Sequence, residues 1–222
     1  MTEPERSEAG LRAERVRANL EEVRERITAA AARAGRPAEV EVCAATKYVP
    51  VQEMDALAQA GIALVGENRA QDLEAKVAAH GRRFEWDFIG HLQSRKVKRI
   101  LPHVRLIHSV ASDSALAQLG RHGDAGTEIL VEVNTSGEAS KTGLVPEEVE
   151  AFVARSEVRV TGLMTMPPLA AEPERSRPHF SALRELAERL GLPRLSMGTT
   201  QDYEVAVEEG ATIVRIGTVL YR

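Results

Sequence analysis

The length, composition and charge of the chain exclude several kinds of protein. Its 222 residues can bury a large core and fall within the usual size of one α/β barrel. The 29 basic and 33 acidic residues leave a net charge of −4, and aromatic residues make up only 4% of the chain, so we expect no nucleic acid partner. Because Cys43 is the one cysteine, neither an intrachain disulfide nor a thiolate zinc site can form. The sequence shows neither a signal peptide nor about eighteen consecutive apolar residues, so we predict a cytoplasmic protein with no membrane partner.

The first segment has the pattern of an amphipathic helix. Val16, Leu20, Val23 and Ile27 alternate at spacings of four and three residues, with arginine and glutamate between them. The pattern closes near residues 35–37, where glycine and proline are typical of a helix end. We predict that this helix precedes the first strand.

Strand and helix patterns alternate through the remainder of the chain. Eight short apolar, β-branched runs indicate strands, at 40–46, 62–66, 84–90, 105–110, 128–134, 159–166, 194–198 and 212–218. Seven helical patterns separate them, at 51–60, 69–80, 94–101, 112–122, 146–156, 178–191 and 201–210. This alternation predicts a parallel sheet, and eight repeats favour a closed barrel over an open doubly wound sheet. We therefore predict an α/β fold, a single (β/α)8 TIM barrel domain over residues 1–222 with an extra N-terminal helix.

Most of the predicted strands run into polar residues, among them Asn68, His91, His108 and Asn134. In a parallel barrel the catalytic and ligand-binding residues lie at these carboxyl ends of the strands. Lys47 follows the first strand, and it has two interpretations. Its stem could lie on the barrel rim with the ammonium in water. Alternatively, apolar surroundings favour the neutral amine, which forms imines with aldehydes.

The ends of the last two strands have the composition of a phosphate site. Barrels often bind phosphate with the loops after strands seven and eight. Gly198, Thr199 and Thr200 follow strand seven, with a predicted helix directly behind them, and Gly217 and Thr218 follow strand eight. Taken singly, Thr200 could merely cap that helix and Gly217 could merely end a strand. The two loops together favour phosphate, and with Lys47 across the mouth they indicate a phosphorylated aldehyde.

The position of Arg215 helps to distinguish between the phosphorylated aldehydes that could be the ligand. Alternation along strand eight gives Ile213, Arg215 and Gly217 one orientation, which places the guanidinium beside the phosphate loops. An aldol-type sugar phosphate and pyridoxal 5′-phosphate both remain open, because the guanidinium suits a ring nitrogen as well as a second phosphate contact.

Seven motifs stand in a distinctive order along nearly the whole chain: AATKYVP, GENRAQD, WDFIGHLQSRK, IHSV, VNTSGEASKTGL, GLMTMPP and LSMGTTQDYEVAVEEGATIVRIGT. In these motifs the sequence resembles the pyridoxal-phosphate homeostasis proteins, which are single-domain relatives of the alanine racemase barrel. The resemblance implies that pyridoxal phosphate is the cofactor, bound through a Schiff base with a lysine. The cofactor-binding residues it implies are Lys47, Asn68, Ser196, Gly198, Thr199, Thr200, Arg215, Gly217 and Thr218. Among them Lys47 would form the imine, the two glycine and threonine loops would hold the phosphate, Arg215 would face the pyridine nitrogen, and Asn68 would lie near the ring.

The chain departs from this family at several positions. The family usually reads SMGMS where this chain has Thr199 and Thr200, and it often has histidine and asparagine where this chain has Asp87 and Arg95. The sequence ends at Arg222, just after the eighth strand, so we expect the N-terminal helix to take the place of the outer helix that usually follows that strand.

The expected function is that of a carrier, with two enzymes as alternatives. An arginine at the pyridine nitrogen disfavours protonation there and weakens the ring as an electron sink. Racemases with this feature resemble two-domain proteins with a tyrosine base from a β-domain, and we expect no such domain here. We therefore rank a pyridoxal-phosphate homeostasis and delivery protein first, an amino-acid racemase or related enzyme second, and a Schiff-base aldolase third. We further expect a monomer that serves apo enzymes as recipients, has no metal site, and carries Lys141 as a solvated loop residue.

Overall fold

The structure is a computed structural model that describes residues 3–138 and 141–222. Its strands pair parallel in chain order, and the first pairs with the last, so the sheet closes into an eight-stranded barrel. The strands are β1 Glu41–Ala45, β2 Leu64–Glu67, β3 Glu85–Phe88, β4 Leu106–Val110, β5 Glu128–Glu132, β6 Arg159–Met164, β7 Arg194–Thr199 and β8 Ile213–Ile216. The predicted (β/α)8 TIM barrel is confirmed.

Helices cover the outside of this sheet. They are α1 Glu3–Arg33, α2 Met54–Gln59, α3 Ala70–His80, α4 Val97–Ile100, α5 Asp113–His122, α6 Pro146–Ala154, α7 Arg177–Leu190, α8 Tyr203–Glu208 and α9 Thr218–Tyr221. Short 3₁₀ segments lie at Val51–Glu53, Gly81–Arg83, Ser94–Lys96, Leu101–His103 and Pro173–Ser176. The helix predicted over 94–101 is thus a 3₁₀ turn followed by one α turn, and Pro102 comes immediately after it. None of the helices in the described ranges combines the length and the apolar character needed to cross a bilayer.

The N-terminal helix α1 belongs to the outer layer of the barrel. Its apolar stripe of Val16, Leu20, Val23 and Ile27 is buried, as its periodicity predicts. The helix packs against α2, α8 and α9. Because α8 precedes β8 and α2 follows β1, α1 closes the ring of helices between the last strand and the first. The prediction that it takes the place of an outer helix is confirmed.

The strands separate two kinds of interior. Between sheet and helices lies the large apolar core, whereas the barrel interior holds a smaller apolar cluster: Cys43, Leu64, Leu106, Leu130, Met164 and Ile213. A column of four polar side chains lies in the barrel interior, each 5% exposed or less: Asp87, His108, Ser196 and Arg215. Burying a polar group costs free energy unless the group is hydrogen-bonded, so each of these four side chains should have hydrogen-bond partners.

Candidate ligand-binding site

A cavity of about 640 Å³ opens at the carboxyl ends of the strands. Its volume is typical of sites for small ligands and cofactors. Seven of the nine residues predicted to contact a cofactor line it: Lys47, Asn68, Thr199, Thr200, Arg215, Gly217 and Thr218. Ser196 and Gly198 are not among the lining residues. The structure therefore brings most of the predicted site together from β1, β2, β7 and β8.

Lys47 lies two residues beyond β1, with its side chain exposed at the mouth of the cavity. Its ammonium nitrogen lies 4.7 Å from the centre of the Tyr48 ring, which suits a weak cation–π contact. Within the described residues, Lys47 forms no ion pair. The amine is therefore not fixed by a strong interaction with these residues and can reach a ligand in the cavity.

A buried ion pair fixes the backbone immediately before Lys47. The Lys76 ammonium donates to the Glu67 carboxylate and, over 2.7 Å, to the carbonyl of Thr46. The Thr46 hydroxyl donates to the same Glu67 oxygen over 2.6 Å. Because Glu67 is fully buried and Lys76 is only 4% exposed, the pair replaces hydration with these fixed partners. Lys76 is committed to this network, and among the described residues Lys47 is the lysine that lines the cavity.

The loops after β7 and β8 are joined to each other. The backbone N–H of Gly217 donates to the Thr200 hydroxyl over 3.1 Å, so the hydroxyl proton of Thr200 remains available to a ligand. Asp202, not Thr200, is the cap residue of α8, which begins only at Tyr203. The alternative that Thr200 merely caps the helix therefore does not describe this structure.

Thr199 has its donors engaged within the protein. Its backbone N–H and its hydroxyl both donate to the Asp202 carboxylate, over 2.7 and 3.1 Å. The hydroxyl of Ser176 donates to the other oxygen of that carboxylate over 2.8 Å. Donors that remain for an anion include the hydroxyls of Thr200 and Thr218, together with the first backbone N–H groups of α9.

The structure gives Gly198 a packing role. Its φ of +88° lies in the left-handed region, and a Cβ there would lie 2.6 Å from the Ala206 Cβ and 2.9 Å from the Tyr203 Cα. The missing side chain therefore lets α8 pack against the end of β7. The predicted role of Gly198 in admitting a ligand stays a prediction.

Arg215 lines the cavity although it is only 5% exposed. Its Nη1 donates to the Ser196 carbonyl over 2.8 Å and to the Ser196 hydroxyl, and its Nη2 donates to the Thr165 carbonyl over 2.9 Å. Burial lowers the pKa of the guanidinium from its very high reference value. Ser196 thus contacts Arg215 from behind the cavity lining.

Several residues that line the cavity are not predicted by the sequence patterns. Glu132 ends β5, is 4% exposed, and accepts a hydrogen bond from the Thr142 hydroxyl. Asn134 was expected at this strand end, but its side chain accepts hydrogen bonds from the backbone of Ser136 and Gly137 in the following loop. The alternation of β5 through Leu130 and Glu132 was the signal that could have identified the carboxylate.

Tyr221, on α9, is a further lining residue that sequence reasoning missed. Its hydroxyl donates to the Ala45 carbonyl over 3.2 Å, and burial raises the pKa of the phenol. Lys141 is half-buried in the loop after β5 and does not line the cavity. Across the described ranges, no three His, Cys, Asp or Glu side chains form a group of metal ligands.

These features define a (β/α)8 barrel with a ligand cavity at its strand ends. The family model described as "Alanine racemase, N-terminal domain" matches residues 15–222. The pyridoxal phosphate homeostasis protein of Aquifex aeolicus (strain VF5) is 41% identical over 220 residues, which cover 91% of this chain and 95% of that protein. The chain belongs to the pyridoxal phosphate homeostasis proteins, within the alanine racemase N-terminal domain family.

Solved structures agree with this assignment. The crystal structure of "an unknown protein from Bifidobacterium adolescentis" has a TM-score of 0.86 and 34% identity, with 95% of this chain and 96% of that chain covered. PipY of Synechococcus elongatus PCC7942 has been solved without and with pyridoxal phosphate bound, at TM-scores of 0.76 and 0.74 and identities of 29% and 28%. The match covers 90% of this chain in both cases, and 99% and 100% of PipY.

Proposed function

We propose that this protein binds pyridoxal 5′-phosphate as a Schiff base with Lys47 and serves vitamin B6 homeostasis by holding the cofactor and delivering it to other enzymes. The observation that carries the proposal is one cavity lined by a lysine without an ion pair among the described residues, on the β1 side, and by threonine hydroxyl donors on the β7–β8 side. The names of the curated relatives and the PipY structure with pyridoxal phosphate point the same way.

The residues present fit this cofactor. Its aldehyde needs an amine, which Lys47 offers, and its phosphate needs hydrogen-bond donors, which Thr200 and Thr218 offer. Arg215 would supply the pyridine nitrogen with its Nε–H, which has no acceptor among the described residues, or with the Nη2 proton that now contacts the Met166 sulfur over 2.9 Å. The Asn68 side-chain oxygen is buried and has no hydrogen-bond partner among the described residues, so it suits a donor on the ligand ring.

The residues of the chain favour holding the cofactor over driving further chemistry on it. When bound, pyridoxal phosphate supplies an aldehyde that condenses reversibly with amines and a ring that accepts electrons. Arg215 stays cationic because a guanidinium does not lose its proton in proteins. A fixed cation at the pyridine nitrogen disfavours a proton there, which weakens the electron-accepting ring. The Lys47 amine, exposed at the mouth, can exchange the aldehyde with an incoming amine.

Delivery is also consistent with the surface around the mouth. Tyr48 and Leu169 line the cavity with 80% and 83% of their surface exposed, and Met166 lines it with 47% exposed. We propose apo pyridoxal-phosphate enzymes of the cytoplasm as recipients, and a monomeric carrier that presents this mouth to them.

A transfer experiment tests the proposal. Incubated with an apo pyridoxal-phosphate enzyme, the loaded protein should restore that enzyme's activity. Lys47→Ala, loaded in the same way, should retain little cofactor and restore little activity, because it lacks the amine that forms the imine. Lys96→Ala is a matched control outside the cavity and should behave like the unmodified protein.

The same samples distinguish a carrier from a racemase. With L-alanine or L-serine alone, α-proton exchange and loss of optical purity should stay at the level given by free pyridoxal phosphate. Sustained exchange that Lys47→Ala abolishes would contradict the carrier proposal and support the racemase alternative.

A further inference from the structure

A chain of buried hydrogen bonds leads from Arg215 through the barrel interior. The Nη1 of Arg215 contacts the Ser196 hydroxyl, which lies 2.8 Å from the Nδ1 of His108. The Nε2 of His108 lies 3.0 Å from the Asp87 carboxylate. On its far side, Asp87 accepts from Arg105 over 3.1 and 2.9 Å. Four strands, β3, β4, β7 and β8, contribute one residue each to the column between Asp87 and Arg215.

The chemistry of the groups fixes the direction of each hydrogen bond. An ionised carboxylate only accepts, so His108 must carry its proton on Nε2. The Nδ1 of the neutral ring is then an acceptor, and the Ser196 hydroxyl donates to it. The Ser196 oxygen in turn accepts from Arg215, which has donors only. One arrangement therefore satisfies every group in the column.

The charges of the column agree with this arrangement. Burial lowers the pKa of His108, and the bond from His108 lowers the pKa of Asp87 against the opposing effect of burial, so a neutral imidazole beside a carboxylate is favoured. Arg105 also pairs with Glu41 at the opposite end from the cavity and fixes Asp87 there. Asp87 is thus the anchored anion, and Arg215 is the cation at the cavity.

We propose that Asp87 and His108 are positioning residues that act on Arg215 through Ser196. They orient the Ser196 hydroxyl oxygen as a second acceptor for Nη1, beside the Ser196 carbonyl, while the Thr165 carbonyl accepts from Nη2. The guanidinium then presents one fixed face to the cavity. This inference rests on the proposed function, because that face is assigned to the pyridine nitrogen of the cofactor, and it gives Ser196 a role without ligand contact.

Asp87 supplies the carboxylate of the column. A histidine at this position would offer the column no fixed anion, whereas the carboxylate of Asp87 sets the tautomer of His108. Replacement by asparagine allows an amide N–H to face Nε2, which favours the other tautomer and turns Nδ1 into a donor. The Ser196 hydroxyl then loses its acceptor and its fixed orientation, so Nη1 of Arg215 keeps only the Ser196 carbonyl, 2.8 Å away, as a fixed acceptor.

The test compares Asp87→Asn, Ser196→Ala and the double variant, each loaded with pyridoxal phosphate labelled with ¹⁵N in the ring. In the unmodified protein the ¹⁵N resonance should indicate an unprotonated ring nitrogen. Each single variant should move the resonance towards the pyridinium position and weaken binding roughly tenfold, as expected when a charged donor loses one hydrogen bond. The double variant should resemble Ser196→Ala, because once the link is cut Asp87 has no further effect on Arg215.

The results of this experiment show separately whether the positioning role of Asp87 and His108 is wrong and whether the proposed function is wrong. If the unmodified protein does not bind pyridoxal phosphate, the proposed function is wrong, and this inference with it. If it binds but both single variants keep its ¹⁵N resonance and affinity, the inference alone is wrong. Fully additive effects in the double variant would also overturn it, because independent structural damage adds whereas a relay does not. Should Asp87→Asn fail to fold, Ser196→Ala removes one oxygen only, and an unchanged resonance in that variant is decisive.

Discussion

Lys76→Met should lower the free energy of unfolding by about 3–5 kcal/mol, the usual cost of removing one partner of a buried ion pair. The substitution keeps the length of the side chain but leaves the fully buried Glu67 carboxylate without its cation. It also removes the donor to the Thr46 carbonyl, so the segment that carries Lys47 loses a fixed point. Urea denaturation followed by circular dichroism measures the change.

Two controls show whether burial is the cause. Arg155→Met breaks an ion pair with Asp113 in which the side chains are 55% and 79% exposed, and it should change stability little. Adding Glu67→Gln to Lys76→Met removes the unpaired charge and should recover part of the loss. A cost for Lys76→Met no larger than that of Arg155→Met would contradict this account of the pair.

Thr200→Ala combined with Thr218→Ala should weaken the binding of pyridoxal phosphate by roughly a hundredfold or more. Each hydroxyl is proposed to donate a charge-assisted hydrogen bond to the phosphate, at roughly 1.5–3 kcal/mol apiece. Thr200 also accepts from the Gly217 N–H, so its loss loosens the contact between the two loops. Equilibrium titration of the stripped protein with the cofactor measures the effect.

Unphosphorylated pyridoxal is the matched ligand for this test and should bind about as before, because it offers nothing to these hydroxyls. Thr142→Ala is the matched variant: Thr142 also lines the cavity, but its hydroxyl donates to Glu132. This variant should leave the ratio of the two affinities unchanged. Equal losses for both ligands in the Thr200 and Thr218 variant would mean that these loops do not recognise phosphate.

The barrel could be predicted because its signals are local. Each strand and helix shows its own periodicity, and the stripe of Val16, Leu20, Val23 and Ile27 alone predicts which face of α1 is buried. The residues at the strand ends follow from the same pattern, since parallel strands bring their carboxyl ends to one side. Most of the proposed site could therefore be identified from sequence.

Strand boundaries were less predictable, and one lining residue was missed as a result. The sequence predicts a fifth strand that reaches residue 134, but the strand ends at Glu132. The loop after it turns on hydrogen bonds from backbone N–H groups to the Asn134 side chain, which residue type alone does not reveal. The predicted boundary therefore places Asn134, not the buried carboxylate of Glu132, at the end of this strand.

The polar column in the barrel depends on contacts that are remote along the chain. His108 and Ser196 are 88 residues apart, and His108 and Asp87 are 21 apart, so only the pairing register of the strands brings them together. Gly198 illustrates a similar limit, because its need for a missing Cβ comes from Ala206 on α8. The sequence identifies these residues, but it does not predict which residues they contact in the folded protein.

Peptide mapping after borohydride reduction tests the central claim most directly. Reduction of the loaded protein converts a Schiff base into a stable phosphopyridoxyl-lysine, which mass spectrometry locates. We expect the label on Lys47, the lysine that lines the cavity, and we expect none on Lys76, whose ammonium is committed to Glu67. A label found mainly on Lys76, Lys96 or Lys141 would contradict the assignment of Lys47 as the residue that holds the cofactor.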